Sequence, residues 1–459
     1  MSAVIADAAR KPLSIKWPLG ILAALLVISL VGGKTAMIFC LLLALMLTGM
    51  PVSIALGLAV LTFLFTMTTV PPTQVAQKLF KGIESFEIMA IPFFILAGNF
   101  LTHGGVAKRM IDFATSMVGH MHGGLGLAGV LACALFAAVS GSSPATVVAI
   151  GSILLPAMLK QGFPKQFGAG IITTSGALGI LIPPSIVMVM YSVATNTSVG
   201  ALFMAGVVPG LMLAFLLGVV AWYRARKFNY PRMDKASWGA RITAFRRAFW
   251  GLFLIVIVMG GIYAGLFTPT EAAAMSAVYS FIIAVFVYKD IGWKDVPRIL
   301  VNSASMSAML LYIIANAVLF SFLMTYENIP QAMGMWLLQM GFGPIVFLLA
   351  VNVILLLAGN VMEPSSIVLI FAPILFPVAV QLGINPVHFG ILIVVNMEVG
   401  MCHPPVGLNL YVASGITKMG ITELTVAVWP WLLAMLGFLG LVTYVPAISL
   451  WLPKYLGMM

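Results

Sequence analysis

The apolar positions of this chain run in near-continuous blocks separated by short polar stretches. A block of about 20 apolar residues crosses a bilayer as a helix, and a shorter one must tilt, re-enter or lie on the surface. On that rule the pattern predicts eleven spans, at roughly 17–32, 35–49, 51–70, 88–102, 164–198, 200–223, 248–267, 270–288, 307–326, 386–416 and 424–450. Amphipathic stretches are expected at Gln74 to Ser85 and Trp293 to Ser303. The runs 123–160 and 343–382 differ: each holds two apolar pieces joined through a polar break, and neither piece is long enough to cross comfortably. They are expected to be re-entrant helical hairpins.

The first break is Ser140-Gly141-Ser142-Ser143-Pro144-Ala145-Thr146, with Pro183-Pro184 some forty residues on. The second is Gly359-Asn360-Val361-Met362-Glu363-Pro364-Ser365-Ser366, followed by Pro404-Pro405. Between the halves Gly162 matches Gly383, Pro164 matches Pro386, Phe167-Gly168 matches Phe389-Gly390, and Pro209 matches Pro430, at offsets of 221 to 222. The order of spans, amphipathic stretch, hairpin and broken span recurs, so residues 35–223 and 248–450 form two repeats. An odd number of crossings separates them, which makes the repeats inverted, the plan of many secondary transporters. Residues 1–34 (a basic N-terminus and an extra span), the linker 224–247 and the tail 451–459 lie outside the repeats.

Composition fixes the class. With 62% hydrophobic and 8% charged residues the chain is a polytopic membrane protein. Its formal charge of +11 would point to nucleic acid in a soluble protein, but here the basic residues gather between apolar blocks. Arg224, Arg226, Lys227, Arg232, Lys235, Arg241, Arg246 and Arg247 share one linker with only Asp234 opposing them, which marks that linker as cytoplasmic. Counting outward, with each hairpin adding no net crossing, puts Lys108, Arg109, Lys160, Lys165, Lys289, Lys294, Arg298, Lys418 and the N-terminus inside, and the C-terminus on the periplasmic side. Lys34, Lys78, Lys81 and Lys454 are exceptions. Cys40, Cys133 and Cys402 are isolated and imply neither a disulfide nor a zinc site. The chain carries no Walker A sequence, HExxH, CxxCH or nucleophile elbow, and no catalytic residue or cofactor is expected.

Chemistry concentrates at the breaks. Irregular backbone at membrane depth is tolerated only where protein, water or ligand satisfies it. Gly141 and Gly359 allow tight turns, and Pro144 and Pro364 suit the first turn of the helices that follow. Helix N-termini attract anions, and carbonyls at helix C-termini bind cations. Ser140, Ser142, Ser143 and Thr146 in one tip, with Asn360, Ser365 and Ser366 in the other, offer oxygen ligands for a small cation. The prolines at 183–184 and 404–405 free carbonyls near Gly179 to Ile182 and Gly400 to His403. Thr173, Thr174, Ser175 and Asn396 are close enough in sequence to face the tips, and Asn99 and Asn316 occupy corresponding spans and are candidates for lining a substrate cavity. For any one of these, helix packing or an interhelical hydrogen bond is the plain alternative. Residues 113–159 and 166–223 hold no charged side chain, and no Lys or Arg occurs from 299 to 417. A bound organic anion therefore has no buried arginine to meet it, and a co-bound sodium ion would offset its charge. Glu363 and Glu398 are the carboxylates of the second hairpin unit, open to ion-site, helix-end or proton-carrying roles. His388, expected near the interface, and His403 are further proton-carrying candidates, neither with a visible partner.

The stretches Ile91 to Gly98, Ser140 to Pro156, Gly179 to Ser185, Phe267 to Ala272, Gly359 to Pro377 and His403-Pro404-Pro405 together resemble the large membrane subunit of tripartite ATP-independent periplasmic (TRAP) transporters, over about residues 35–450. The resemblance implies an all-helical elevator carrier in which a hairpin-bearing transport domain slides against a scaffold, driven by sodium. It also implies a small four-helix membrane subunit, expected as a separate chain, a periplasmic substrate-binding protein, and a bacterial inner-membrane location. It places a first sodium site at Ser140, Ser142, Gly179, Ile182 and Pro184, and a second at the Gly359 to Ser366 tip with Gly400 and His403. The implied substrate is a C4-dicarboxylate (malate, succinate or fumarate), with sialic acid or another carboxylate as alternatives. A self-sufficient sodium/dicarboxylate symporter is a second reading, and a proton-conducting or quinone-linked respiratory subunit a third.

Overall fold

A computed structural model describes residues 33–340, 343–360, 362–404 and 407–459. The span predicted at 17–32, the N-terminus and Pro405 lie outside these. The described residues contain helices and no strand, and eight helices are long and apolar enough to cross a membrane. They divide into two compact units.

The smaller unit comprises Met1–Gly82 with Tyr312–Ile329, of which residues 33–82 and 312–329 are described. The helices Gly33–Leu47 and Val52–Met67 match the predicted spans, and Pro72–Ile83 matches the first amphipathic stretch. Phe39 packs edge-on against Phe320 at 6.3 Å. Gly57 leaves room for the Asn316 side chain, whose amide donates to Tyr312 O at 3.0 Å.

The larger unit, Ile83–Leu311 with Pro330–Met459, carries both hairpins. The first is Gly124–Ser140 and Ser143–Lys160, the second Pro344–Gly359 and Pro364–Gln381, close to the predicted limits. The second arm of each, at 18 residues, is nonetheless among the eight helices long and apolar enough to cross, contrary to the expectation that neither arm is. Each is followed by a helix interrupted at its prolines: Lys165–Gly176, a 3-10 turn Ala177–Ile180 and Ile186–Thr195 in one repeat, Pro386–Cys402 and Leu408–Thr417 in the other. The repeats pack reciprocally. Ile186–Thr195 lies on the second hairpin's Pro364–Gln381, while Leu408–Thr417 lies on the first hairpin's Ser143–Lys160. Likewise Lys165–Gly176 packs on Ile421–Tyr444, and Pro386–Cys402 on Val199–Lys227. Swapping the repeats exchanges these contacts, as a two-fold relation requires.

Packing density holds this core, because lipid supplies little hydrophobic drive between helices and association relies on close van der Waals contact. Trp431 is fully buried with Phe167 at 5.6 Å. Gly170 makes that possible, since a Cβ there would lie 2.7 Å from the Trp431 ring. At the equivalent crossing Gly390 admits Tyr191, whose hydroxyl donates to Pro386 O at 2.8 Å.

Several boundaries differ from expectation. The helix Val296–Tyr326 is continuous and absorbs both the amphipathic stretch at 293–303 and the span at 307–326. The linker 224–247 narrows to residues 228–237, because one helix runs on to Lys227 and the next starts at Trp238, capped by the Ser237 side chain accepting from Ala240 N at 3.2 Å. The last span ends at Tyr444, and Ala447–Tyr455 is a separate helix. Two further helices, Val106–Val118 and Ile329–Gln339, were not expected as elements. Val106–Val118 contains Lys108, Arg109 and Asp112 and so reads as polar linker, yet it buries Val106, Met110 and Ala114 along one face. Arg109 on it pairs with Asp290 at 2.6 Å and stacks on the Tyr288 ring at 3.9 Å. Burial pushes the Asp112 carboxyl above the usual carboxylate range, against the pull of Lys108, Arg247 and Arg109.

Candidate functional site

Both hairpins turn at the residues their sequences single out. In the first, Gly141 takes the left-handed conformation (φ 60°) that ends one arm, and Ser142 is extended before the next helix begins. Ser140 Oγ and Thr146 Oγ1 are 2.9 Å apart, and Thr146 Oγ1 donates to Ser142 O at 2.9 Å. The tip rests on the first broken helix. A Cβ at Gly179 would lie 2.6 Å from Ser142 C and O, and one at Gly141 would lie 2.9 Å from Pro184 O. The structure thus brings Ser140, Gly141, Ser142, Ser143, Gly179 and Pro184 together, with Ile182 in the same break. The Pro183–Pro184 peptide is cis.

The second tip repeats the contact with different chemistry. Gly359 faces Gly400 backbone to backbone. With its nitrogen turned toward the broken helix, the Asn360 amide donates to His403 O at 3.1 Å, His403 Nδ1 at 2.9 Å and Pro404 O at 3.2 Å. Glu363 caps the next helix by position only; its carboxylate instead accepts from Ser366 Oγ at 3.2 Å. His403 therefore has a partner.

Between the tips lies a cavity of about 390 Å³. Its wall includes Ser140 to Ala145 from one tip and Glu363, Pro364 and Ser365 from the other, together with Asn99, Thr102 and apolar side chains such as Ile95, Val148, Met306 and Met401. Both second-arm helices begin at this wall, and neither start is satisfied by a capping side chain. Asn99 donates to Ser303 Oγ at 2.7 Å.

Other predicted lining residues sit elsewhere. Thr173 and Thr174 are fully buried and bond back to Ala169 O and Gly170 O at 2.7 and 2.9 Å. Ser175 is fully buried, and its hydroxyl meets no partner among the described residues. Asn396 donates to Asn352 O and Oδ1 at 3.0 and 2.9 Å, and Asn352 to Thr443 Oγ1 at 2.8 Å. His388 is buried in the same network, against Ser449 Oγ at 2.7 Å and Thr443 O at 3.3 Å, and so has the partners that its sequence did not show. The reason is the separate helix Ala447–Tyr455, which folds Ser449 over it. Glu398 is fully buried, and neither of its oxygens has a hydrogen-bond partner among the described residues. Asn316 belongs to the smaller unit. Sequence reasoning missed Asn409, fully buried on Leu408–Thr417, whose amide donates to Ser143 Oγ at 2.7 Å.

Residues 39–448 match the family model of the tripartite ATP-independent periplasmic transporter, DctM component. The chain belongs to this family. The chain is thus a membrane permease component of a secondary transporter and not an enzyme. It is 77% identical over 435 residues to the C4-dicarboxylate TRAP transporter large permease protein DctM of Rhodobacter capsulatus, covering 92% of this chain and 99% of that one. The protein of the same name from Pseudomonas aeruginosa is 54% identical, covering 88% and 95%. Among solved structures, the YdaH transporter of Alcanivorax borkumensis, described as having an unusual topology, superposes with a TM-score of 0.60 at 16% identity, covering 83% of this chain and 88% of that one. That likeness concerns the fold alone.

Proposed function

We propose that the chain is the large permease subunit of a sodium-coupled importer of a C4-dicarboxylate such as malate, succinate or fumarate. The observation that carries this reading is the cavity whose wall combines both hairpin tips and both second-arm helix starts. Each helix N-terminus is worth about half a positive charge, so two supply about +1 against the −2 of a dicarboxylate. No Lys or Arg lies between 299 and 417 or in 113–159 to supply the rest, and Glu363 adds a carboxylate to the wall. Cations bound at the tips would close that deficit, the first against Ser140, Ser142, Gly179, Ile182 and Pro184, the second against Gly359, Asn360, Ser365, Gly400 and His403. Ser143, Thr146, Glu363 and Ser366 shape the same tips, and Asn99 contacts the substrate.

The substrate class draws on relatives. Those 77%, 54% and 49% identical carry the C4-dicarboxylate name. An isethionate permease protein of Oleidesulfovibrio alaskensis is 42% identical, and a sialic acid large permease of Vibrio cholerae 35%. The subunit works with a small four-helix membrane subunit and a periplasmic binding protein, in the bacterial inner membrane with its N-terminus cytoplasmic and its C-terminus periplasmic. The helices bearing the tips move together as an elevator. Uptake by proteoliposomes holding both membrane subunits, with the binding protein added or withheld, tests the assignment. Succinate should be taken up only with the binding protein present and should be competed by malate and fumarate but not by sialic acid; uptake undiminished without the binding protein would refute it.

A further inference from the structure

We propose that Asn409 couples the two ion sites, holding the first hairpin tip in register with the second break so that a cation bound at one site raises affinity at the other. This rests on the sodium-coupled reading above, and it names a residue for which that reading has no role.

The geometry is a continuous relay. Asn409 sits at the start of Leu408–Thr417, just past the second break. Its Nδ2 donates to Ser143 Oγ at 2.7 Å, and Ser143 Oγ donates onward to Gly176 O at 3.0 Å. Gly176 is the last residue before the 3-10 turn that opens the first break. A second bond from Nδ2 to Thr173 O, at 3.4 Å, fixes which way the amide points. At the other end, a Cβ on Gly407 would lie 2.8 Å from both His403 O and Met401 O, so the start of this helix rests directly on the carbonyls of the second break. His403 in turn is held by Asn360 of the second tip. The relay therefore runs from the second tip through His403, Gly407 and Asn409 to Ser143 of the first tip and on to the first break.

Asn409, Ser143 and Thr173 are fully buried, so a stretched bond cannot be replaced by one to water, and the cost of losing it is that of a buried unpaired group. A cation that draws in the carbonyls at His403 shifts the start of Leu408–Thr417, and the amide carries that shift to Ser143. Asn409 Oδ1 has no partner among the described residues, which leaves the amide anchored through its nitrogen alone. The relay occurs once: at the 221-residue offset the first repeat has Met188, which has no amide to donate.

Sodium activation of uptake by the reconstituted complex, at saturating succinate, tests the coupling. Coupled sites typically change each other's affinity by 5- to 150-fold, and two sites allow a Hill coefficient approaching about 2. Asn409→Ala should lower the Hill coefficient toward 1 and raise half-saturating sodium several-fold. Ser143→Ala breaks the same bond from its other end and should flatten the curve equally, and the double variant should be no flatter than either single one. Curves as steep as the parent's in whichever variants assemble would overturn the proposal. A parent protein with no sodium dependence would instead overturn the sodium reading itself, so the two failures are distinguishable.

Discussion

Gly359 and Gly400 lie so close that a methyl group on either would reach the Cα of the other at 3.0 to 3.1 Å. One ends the first arm of the second hairpin and the other lies in the last turn before the second break, so their contact sets how deeply the tip is seated. Gly400→Ala should separate the two backbones by several tenths of an ångström and abolish most sodium-activated uptake while the protein still inserts. Gly415, with nothing within 4 Å of its added Cβ, is the control. Gly415→Ala should keep activity and gain about 0.5–1 kcal/mol of helix stability. Uptake assays beside thermal unfolding of both variants check this.

The tip hydroxyls offer a finer test. Ser142 and Ser365 both line the cavity. Ser142→Ala and Ser365→Ala should each raise half-saturating sodium by about tenfold or more, as expected for one lost charge-assisted ligand worth about 1.5–3 kcal/mol, with membrane insertion intact. Sodium activation unchanged in both would remove the tips as ion sites.

A purely structural consequence concerns Asn352. It joins Asn396 to Thr443 inside the second hairpin unit, all three buried. Asn352→Leu should remove the Oδ1 acceptor of Asn396 and the donor to Thr443 Oγ1, leaving the Asn396 amide held by the Asn352 backbone O alone, at a cost of about 1–3 kcal/mol, seen as a lower unfolding temperature in detergent. Replacing Asn396 as well, by Leu, should recover part of that loss.

Arg109 and Asp290 form a half-exposed pair, so their bond is worth little: about 0.2–1 kcal/mol, with the Tyr288 stack adding about 0.5–1 kcal/mol. A double-mutant cycle on stability with Arg109→Gln and Asp290→Asn should return a coupling near the low end, smaller still in high salt.

The hairpins and broken helices were legible because Gly, Ser and Pro clustered inside an apolar block interrupt a helix that lipid would otherwise favour, and because Pro183-Pro184 and Pro404-Pro405 recur at one offset. The amphipathic helix Val106–Val118 was hidden by its charges: with only one face buried, its composition is that of a linker. Thr173, Thr174 and Asn396 sit at the sequence level of the tips but on helix faces turned to other helices, and spacing to a proline does not reveal the face. Asn409 carried no local signal, since its partner Ser143 lies 266 residues away and only the reciprocal packing of the repeats joins them.

The proposed function has sodium meeting the dicarboxylate between the two tips. Accumulation of radiolabelled succinate in proteoliposomes containing both membrane subunits and supplied with the binding protein measures this directly. It should rise above the external concentration only under an inward sodium gradient and collapse when potassium replaces sodium; equal accumulation in the two salts would contradict it.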